Sequence, residues 1–509
     1  MTGGTGRDMQ DTQGSGGRHD GAPDLRAFVR SREAELERRL AEWVRIPGIL
    51  GAPEHSQDLL RSANWLAGEF REVGFPVAEV LPTGESYTVY AEWCQAPGAP
   101  TVLVYSHHDV RAVRPENWAL TAPFEPILRE GRLYGRGSSD AKGQILVHLE
   151  AVRAHLAAGA TGAGGTGTSP DTVAGPDPAP KVNLKFLVEG EEEGGSPNLA
   201  KLLEDHTDRF AADLVLFSDT LLWDAAYPAV CLSLRGMLSA HLEVYGPERD
   251  VHSGAVSGNA PNPAFELGRL LGLMHHQDGR FAVPGFYDDV APLPADLRNA
   301  LNDLPFSEED WLARSETGAI TGEKGYTVLE RLWLRPAVEV TSIIAGDPLG
   351  VSRAAVPAVA SADLSFRTVP GQRAEKIAGQ LQEWVAATIG DAYSFSLIPD
   401  LETAQEPYRT PDHHPAVAAL EKAMAAGFRA DRTGRMGNAG GGPAELLSRT
   451  LAAPVLFFGT GLVEDHWHDS DESAGLDVLM NGAVTLACFW EELAAKQGIG
   501  DDDDGHLRQ

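Results

Sequence analysis

The chain has 509 residues, of which 43% are hydrophobic and 23% are charged. This composition is typical of a globular protein of two or three domains, and it excludes global disorder and collagen-like repeats. Lys and Arg total 42 against 73 Asp and Glu, and the resulting net charge of −31 repels nucleic acid and anionic membrane surfaces. We therefore expect neither nucleic acid nor a membrane as a partner.

Three cysteines, Cys94, Cys231 and Cys488, are far apart and form no Cys-x-x-Cys pair. Their spacing excludes a disulfide framework and a thiolate zinc site, and it favours a reducing, cytoplasmic location. The first residues lack the apolar region of a secretory signal, and no apolar run approaches the ~20 residues needed to cross a bilayer. We predict a disordered leader over 1–24 and an acidic tail over 498–509.

The folded part is predicted to begin near Leu25. Apolar residues at helical spacing predict amphipathic helices over 25–46 and 59–73. Four short, nearly continuous apolar runs predict strands that are buried on both faces, as in a parallel sheet: Thr101–Tyr105, Leu184–Val188, Leu214–Phe217 and Pro454–Phe458. Helical segments such as 143–156 lie between these runs, which indicates an α/β domain with a mostly parallel sheet and helices on both faces.

Between residues 236 and 400 the pattern changes to that of an α+β domain. Two segments alternate apolar and polar residues as half-exposed antiparallel strands do, and two helical stretches accompany them: 239–246, 358–369, 263–274 and 374–389. The fourth buried strand follows this region. We therefore predict a smaller lid or dimerisation domain, 236–400, inserted between the two parts of a catalytic domain, 25–235 and 401–497. Residues 159–180, mostly Gly, Thr, Ala and Pro, predict a flexible insertion in the first part.

Polar groups follow each of the four predicted buried strands, at the edge of the sheet where open α/β sheets bind ligands. They are Ser106-His107-His108-Asp109, Glu189-Gly190-Glu191-Glu192-Glu193, Ser218-Asp219 and His466-Trp467-His468. A further loop, Gly137–Gly143, carries Asp140 just before a helix. Each motif alone is compatible with a helix cap or a solvated acidic face. Their joint occurrence favours a metal site.

Two imidazoles and three carboxylates suit a pair of Zn²⁺-like ions about 3.5 to 4 Å apart, bridged by one carboxylate and one water. The four positive charges of the ions exceed the three carboxylate charges by one, which stabilises a bridging hydroxide near neutral pH. A further carboxylate beside the water can serve as a general base.

At these residues the chain resembles the co-catalytic zinc metallopeptidases, a family that includes carnosine-type cytosolic dipeptidases, aminoacylases, glutamate carboxypeptidase, acetylornithine deacetylase and succinyl-diaminopimelate desuccinylase. The resemblance covers residues 25–493 without 159–180. The Glu-Gly-Glu-Glu-Glu and Gly-Ser-Ser-Asp-Ala-Lys-Gly-Gln patterns are similar to those of the dipeptidase branch. The resemblance implies two divalent ions. Zinc is the expected metal, and manganese and cobalt are the alternatives. One would be held by His107, Asp140 and Asp219, and the other by Asp140, Glu193 and His468.

The resemblance also implies the roles of the neighbouring residues. Asp109 would orient His107, Glu192 would be the general base, and a cis peptide bond would follow the bridging Asp140. Glu191 is the competing choice for the base, and His466 replaces His468 as a ligand if the register of its loop slips.

Two further matches lie in the inserted domain. Asp250-Val251-His252-Ser253-Gly254 is similar to the family's His-Ser-Gly stretch, whose histidine reaches the scissile carbonyl in the site of a neighbouring subunit, which implies a homodimer. Arg367 in LSFRTVP resembles the arginine that binds the α-carboxylate of the substrate, a planar bidentate task. The chain departs from the family at Ser106, where the family has Gly, and at 439–443, which lack the serine of the family's Gly-Gly-Ser-x-Pro.

These features predict a dinuclear metallohydrolase, a dipeptidase that cleaves the amide bond of small peptides with a free α-carboxylate. An N-acyl-amino-acid deacylase needs the same metals and the same arginine, so it is the alternative within the enzyme class. A catalytically inert dimeric scaffold is the alternative from a different class.

Overall fold

The structure, a computed structural model, describes residues 24–162, 180–347, 350 and 353–495. Residues 1–23 of the predicted leader, 163–179 of the predicted insertion and the acidic tail lie outside the described residues. Helix α4 (Lys142–Gly162) continues into the stretch predicted as a flexible insertion, which corrects its start.

A six-stranded sheet forms the centre of the larger domain. Its four parallel strands are the four predicted buried runs, so the predicted parallel sheet is confirmed. A hairpin that the sequence did not predict extends the sheet in antiparallel fashion at one edge. In spatial order the strands are β1 (Val77–Thr83), β2 (Ser86–Trp93), β6 (Asn183–Glu189), β3 (Thr101–His107), β7 (Leu214–Phe217) and β17 (Val455–Phe457).

Helices cover both faces of this sheet because successive side chains of its strands point to opposite sides. On β3, Val102 and Val104 belong to the core of one face, and Leu103 and Tyr105 belong to the core of the other. The first face is covered by α4 together with α1 (Leu25–Arg30), α2 (Glu33–Val44), α3 (Ser56–Val73), α13 (Pro415–Phe428) and α15 (Leu476–Ala494). The second face is covered by α5 (Leu199–Asp205), α6 (Thr207–Phe210) and α14 (Ala444–Leu451).

The prediction of one continuous helix over 25–46 is wrong, because the chain breaks at Ser31 and Arg32 between α1 and α2. The Ser31 hydroxyl donates to the carbonyl of Phe28, and the guanidinium of Arg32 turns to the buried carboxylate of Glu150 at 2.5 Å. These two contacts compensate for the backbone hydrogen bonds that a continuous helix would make at Ser31 and Arg32. Helix α3 spans the predicted 59–73, starts three residues earlier and ends at Gly74 with φ 110°.

The smaller domain contains a four-stranded antiparallel sheet, as the alternating patterns predict. In spatial order its strands are β11 (Ala337–Ala345), β13 (Val359–Thr368), β9 (Gly236–Tyr245) and β14 (Ser394–Gln405). Helices α8 (Pro263–Leu273) and α12 (Ala374–Thr388) pack on one face and bury the apolar side of β9 and β13. A short ribbon, β10 (Val251–His252) with β12 (Ala355–Val356), and helix α7 (Ser253–Val256) carry the His-Ser-Gly stretch.

Three helices between these strands are α9 (Ala295–Asn302), α10 (Glu308–Arg314) and α11 (Val328–Leu334). Leu301 of α9 and Trp333 of α11 are buried in the second core of the larger domain, so part of the predicted inserted region packs outside the smaller sheet. A three-stranded sheet lies beside them, formed by β15 (Tyr408–Arg409), β8 (Ala229–Leu234) and β16 (Gly434–Asn438).

A second three-stranded sheet, β4 (Ile127–Arg129), β5 (Arg132–Tyr134) and β18 (Ser473–Gly475), borders the loops of the site. Among the helices of the described ranges, none combines the length and the apolar character that a membrane span requires.

Candidate metal centre

The metal-ligand candidates converge at the carboxyl ends of the parallel strands. His107 is the last residue of β3, and Asp219 comes two residues after β7. Side-chain alternation on β3 sends the two adjacent histidines in opposite directions. His108 Nε2 lies 2.7 Å from the carbonyl oxygen of Tyr87, and burial lowers its pKa to about 4, so it is a neutral structural group.

The carboxylate of Asp140 lies between the two candidate imidazoles. Its Oδ1 is 3.1 Å from Nε2 of His107, and its Oδ2 is 3.0 Å from Nε2 of His468. Each of its oxygens therefore faces a different histidine, which is the arrangement of a carboxylate that bridges two cations.

Two groups of three ligands share this carboxylate. His107, Asp140 and Asp219 form one group, and Asp140, Glu193 and His468 form the other, and within each group the ligand atoms lie within 4.8 Å of one another. Asp219 Oδ2 is 3.6 Å from His107 Nε2, and Glu193 Oε2 is 3.4 Å from His468 Nε2. The structure thus brings together all five residues that the sequence assigned to the metals.

The loop that carries Asp140 depends on two glycines. Gly137 has φ 85°, a backbone conformation that L side chains rarely adopt, and a Cβ on Gly143 would lie 2.3 Å from the carbonyl oxygen of Ser138. Between them, the peptide bond from Asp140 to Ala141 is cis, as the resemblance implies. The buried ammonium of Lys142 donates to the carbonyls of Trp43 and Ile46 at 3.1 and 2.9 Å, which ties the loop to the end of α2.

Asp109 contacts residues of both ligand groups. Its Oδ1 is 3.3 Å from Nδ1 of His107, and its backbone carbonyl is 3.1 Å from the same nitrogen. Its Oδ2 accepts the backbone N–H of Glu193 at 3.0 Å. Asp109 therefore sets the orientation of one ligand and the backbone position of another.

Glu191 and Glu192 differ in their surroundings. Both carboxylate oxygens of Glu191 accept hydrogen bonds from Asn198, at 2.8 and 3.0 Å, so this side chain holds the start of α5. Glu192 has electrostatic interactions with His107, Asp219 and Glu193, and burial raises its pKa well above the ordinary value while the charge of His107 opposes the rise. This geometry favours Glu192 over Glu191 as the base, and the assignment stays a prediction.

The two candidate histidines of the last loop also differ. His468 contacts Asp140 and Glu193, and both hydrogen bonds raise its pKa, to about 10. His466 is exposed and belongs to neither ligand group of the described residues. His466 and His468 both have positive φ, 58° and 61°, and both are exposed, so they differ in their contacts and not in their backbone conformation.

The electrostatics of the centre call for cations. Burial of His107 disfavours its charged form, but Asp219, Asp109 and Asp140 outweigh burial and raise its pKa. Burial likewise opposes the ionised form of Asp140, and hydrogen bonds from His107 and His468 lower its pKa nonetheless. Asp219 Oδ1 is buried and has no hydrogen-bond partner. A buried carboxylate oxygen without a donor, beside two imidazoles, fits a divalent ion that takes nitrogen and oxygen ligands.

The two candidates from the smaller domain lie apart from this cluster. His252 is exposed at the end of β10, opposite Ala355, and no hydrogen bond or ion pair joins it to the five ligands among the described residues. Arg367 is half-buried on β13, opposite Met237 of β9, and burial lowers its pKa.

Two arginines of the site were not predicted. Arg111 Nε lies 2.7 Å from Glu193 Oε2. Arg235 is buried beside the glycine loop 439–443, where its Nε is 3.4 Å from the carbonyl oxygen of Ala439. Arg235 lies between β8 and β9, and this position is the only feature of the sequence that could have identified it. Ser106, the departure from the family pattern, donates its hydroxyl to the carbonyl of Ser218 at 2.8 Å and so joins the ends of β3 and β7.

Comparison with known proteins agrees with this geometry. Residues 103–166 match the family described as Peptidase family M20/M25/M40, and residues 232–391 match the family described as Peptidase dimerisation domain. The chain is 26% identical over 483 residues to the human Beta-Ala-His dipeptidase, with 92% of each chain covered. It is 28% identical over 450 residues to the Cysteinylglycine-S-conjugate dipeptidase of Corynebacterium striatum, covering 86% of this chain and 90% of the relative.

Solved structures share the whole fold. The crystal structure of human carnosine dipeptidase 1 has a TM-score of 0.75 at 24% identity and covers 93% of this chain and 100% of its own. An M20 family metallo-carboxypeptidase from Sulfolobus solfataricus has a TM-score of 0.76 at 25% identity, covering 91% and 100%. The motif-bearing strands, the dimerisation domain and these relatives lead to one conclusion: the chain carries segments of the M20 peptidase type and is a hydrolytic enzyme similar to the M20 metallodipeptidases, a group that implies a divalent metal.

Proposed function

We propose that the protein is a dinuclear dipeptidase that cleaves the amide bond of small peptides with a free α-carboxylate. The observation that carries this proposal is the carboxylate of Asp140, which lies 3.1 Å from His107 and 3.0 Å from His468 and is shared by two ligand groups. Dipeptidases from human and Corynebacterium striatum are relatives over most of the chain, which supports a dipeptidase over the alternatives.

Two ions, zinc with manganese or cobalt as alternatives, would be held by His107, Asp140 and Asp219 and by Asp140, Glu193 and His468. When bound, such ions polarise an amide carbonyl and lower the pKa of a water molecule. The remaining steps belong to side chains of this protein. Glu192 takes a proton from the attacking water and passes it to the leaving amine, and Asp109 keeps His107 in the orientation that ligation needs.

Arg367 would bind the α-carboxylate of the substrate, together with Arg235. Neither guanidinium has an ion pair with a carboxylate among the residues that the structure describes, although Arg235 is buried. Burial and the nearby charge of Arg367 together lower the pKa of Arg235 to about 10. Two buried or half-buried cations without a carboxylate are stabilised by an anionic ligand.

We propose a homodimer formed through the inserted domain, 236–400, in which His252 reaches the site of the other subunit and stabilises the developing oxyanion. Apolar side chains exposed on this domain support an interface, since Phe265 of α8 and Ile343 of the edge strand β11 are 79% and 62% exposed. His252 is exposed and makes no described contact with the ligands of its own chain, which supports a role in another chain.

A reducing compartment, the cytoplasm, agrees with the cysteines. Cys94, Cys231 and Cys488 are all free thiols. None of them belongs to either ligand group of the described residues, so the proposed metal site uses no thiolate.

Hydrolysis of a dipeptide panel, measured beside the matching N-acetyl amino acids and dipeptide amides with added Zn²⁺, Mn²⁺ or Co²⁺, tests the proposal. We expect dipeptides to be cleaved and dipeptide amides, which lack the α-carboxylate, to be poor substrates. Preference for N-acetyl amino acids would make the protein a deacylase. Two bound metals without any hydrolysis would contradict the enzyme, and absence of bound metal together with absence of hydrolysis would support the inert scaffold.

A further inference from the structure

Glu472 links the two loops that carry the second ligand group, and the proposed function gives it no role. This side chain is fully buried and lies four residues after His468, at the end of the same loop. Its four hydrogen bonds all reach the segment 136–140, which leads to Asp140. It therefore spans the gap between the loop of one metal ligand and the loop of another.

The four donors saturate the carboxylate. Oε2 accepts the backbone N–H of Gly137 at 2.9 Å and Nη1 of Arg136 at 2.8 Å. Oε1 accepts the backbone N–H groups of Ser139 and Asp140, both at 3.0 Å. Since none of these groups can accept a hydrogen bond, the arrangement favours the ionised carboxylate over a protonated one.

Arg136 and Ser139 reinforce the same connection from the other side. Arg136, which is 3% exposed, also donates from Nη2 to the carbonyl of Asp469, directly after His468, at 3.1 Å. The hydroxyl of Ser139 donates a hydrogen bond to Asp465 and accepts one from Nε1 of Trp467 at 2.8 Å. The His468 loop and the Asp140 loop are thus held against each other at both of their ends.

We infer that Glu472 is a positioning residue that fixes the separation of Asp140 and His468 and thereby sets the affinity of the second metal. The inference rests on the proposed metal centre. Among the described residues Glu472 makes no hydrogen bond or ion pair with a ligand side chain, and it acts through the backbone of Asp140 and the path of the loop that presents His468. The first group, with His107 and Asp219 on strand ends, depends on this connection only through Asp140.

The test is the replacement Glu472→Gln. An amide of the same shape has one acceptor oxygen, so its NH₂ group must face either Gly137 and Arg136 or Ser139 and Asp140, and two donors lose their acceptor. We expect the second metal to bind about 10- to 100-fold more weakly, the range for groups that support metal ligands, and the first metal to change less. Zinc titration against a competing chelator measures both affinities.

The matched control is Glu150→Gln. Glu150 is a buried carboxylate that pairs with Arg32 at 2.5 Å and Arg153 at 2.7 Å, away from the ligands. The replacement Glu150→Gln should lower thermal stability and leave both metal affinities unchanged. If Glu472→Gln lowers thermal stability but keeps the wild-type ratio of the two affinities, Glu472 is structural only and the inference is wrong.

A second variant keeps the test decisive if Glu472→Gln does not fold. Ser139→Ala removes only the hydroxyl between Asp465 and Trp467, and we expect the second metal to weaken at least threefold while the first is retained. An unchanged ratio of affinities in this folded variant would overturn the inference. A wild-type protein that binds no metal at all would instead contradict the proposed function.

Discussion

The guanidinium of Arg111 lies against Glu193, with Nε 2.7 Å from Oε2, and the backbone N–H of Arg111 donates to Oε1 of the same carboxylate at 3.1 Å. The arginine side chain is 48% exposed, whereas that of Glu193 is 4% exposed. A cation from the protein thus lies on the carboxylate that the proposed second metal would need.

This contact predicts that Arg111→Gln tightens the second metal. The guanidinium competes for Glu193 Oε2 and repels a divalent ion. An exposed ion pair of this kind contributes up to about 1 kcal/mol, which corresponds to roughly a two- to fivefold change in the affinity for the second metal. Competitive zinc titration measures the change. Arg114→Gln, at an exposed arginine three residues along the chain, should change nothing. Weaker binding in Arg111→Gln would mean that Arg111 orients Glu193 for ligation.

Glu192→Gln should keep the fold and both metals and lose about 100-fold or more in kcat, because an amide cannot take the proton from water. Steady-state kinetics beside metal analysis by mass spectrometry checks both parts. Glu191→Gln is the comparison, since its oxygens hold Asn198. An inactive Glu191→Gln beside an active Glu192→Gln would show that the base is one residue earlier.

Asp140→Ala should remove both metals, whereas Asp219→Ala or Glu193→Ala should chiefly weaken one. The reason is that Asp140 alone faces both histidines, and the other two belong to one ligand group each. Metal counts after dialysis separate these outcomes. Retention of two metals by a folded Asp140→Ala variant would contradict the bridging role.

Metal affinity should rise with pH between 6 and 8. Neighbouring carboxylates raise the pKa of His107, against the effect of burial, and raise that of His468 to about 10, so both imidazoles are protonated in the metal-free protein at neutral pH. A metal ligand must be the neutral imidazole, so each ion displaces protons and binds more tightly as pH rises. Titrations at three pH values measure the slope, and His468→Ala should reduce it. A pH-independent affinity would contradict this account.

His252→Ala and Glu192→Ala homodimers should both be nearly inactive, and mixing them should restore activity. In a two-fold dimer, each site would combine Glu192 of one chain with His252 of the other, so a mixed dimer has one intact site. Random exchange makes half of the dimers mixed, and about a quarter of wild-type activity returns. Differently tagged subunits and a pull-down establish exchange. If activity stays absent after confirmed exchange, His252 acts within its own chain.

Much of the larger domain follows from sequence pattern alone. The four runs that form β3, β6, β7 and β17 are almost continuously apolar because helices cover both faces of the sheet, and this burial leaves a clear local signal. Ligands follow these strands because parallel strands end at one edge. Strand order brings many His and carboxylate groups to this edge, and the selection of His107, Asp140, Glu193, Asp219 and His468 among them came from the family resemblance.

Local pattern carries no information about contacts between distant segments. The helix break at Ser31 depends on Arg32 reaching Glu150, more than a hundred residues away. Trp333 packs on the larger domain although its helix lies within 236–400, the region predicted as the inserted domain. Both outcomes depend on which surfaces meet after the chain has folded.

The sequence by itself determined the parallel sheet, the antiparallel smaller sheet and the set of metal-ligand candidates, because burial and strand order impose residue patterns that can be recognised along the chain. Only the tertiary structure showed what neighbouring side chains contact: His468 reaches Asp140 and Glu193, whereas Glu191 holds Asn198. It also revealed Arg111 on Glu193 and Glu472 across two loops. These contacts are side-chain and backbone hydrogen bonds between distant segments, and their geometry exists only once the loops are packed together.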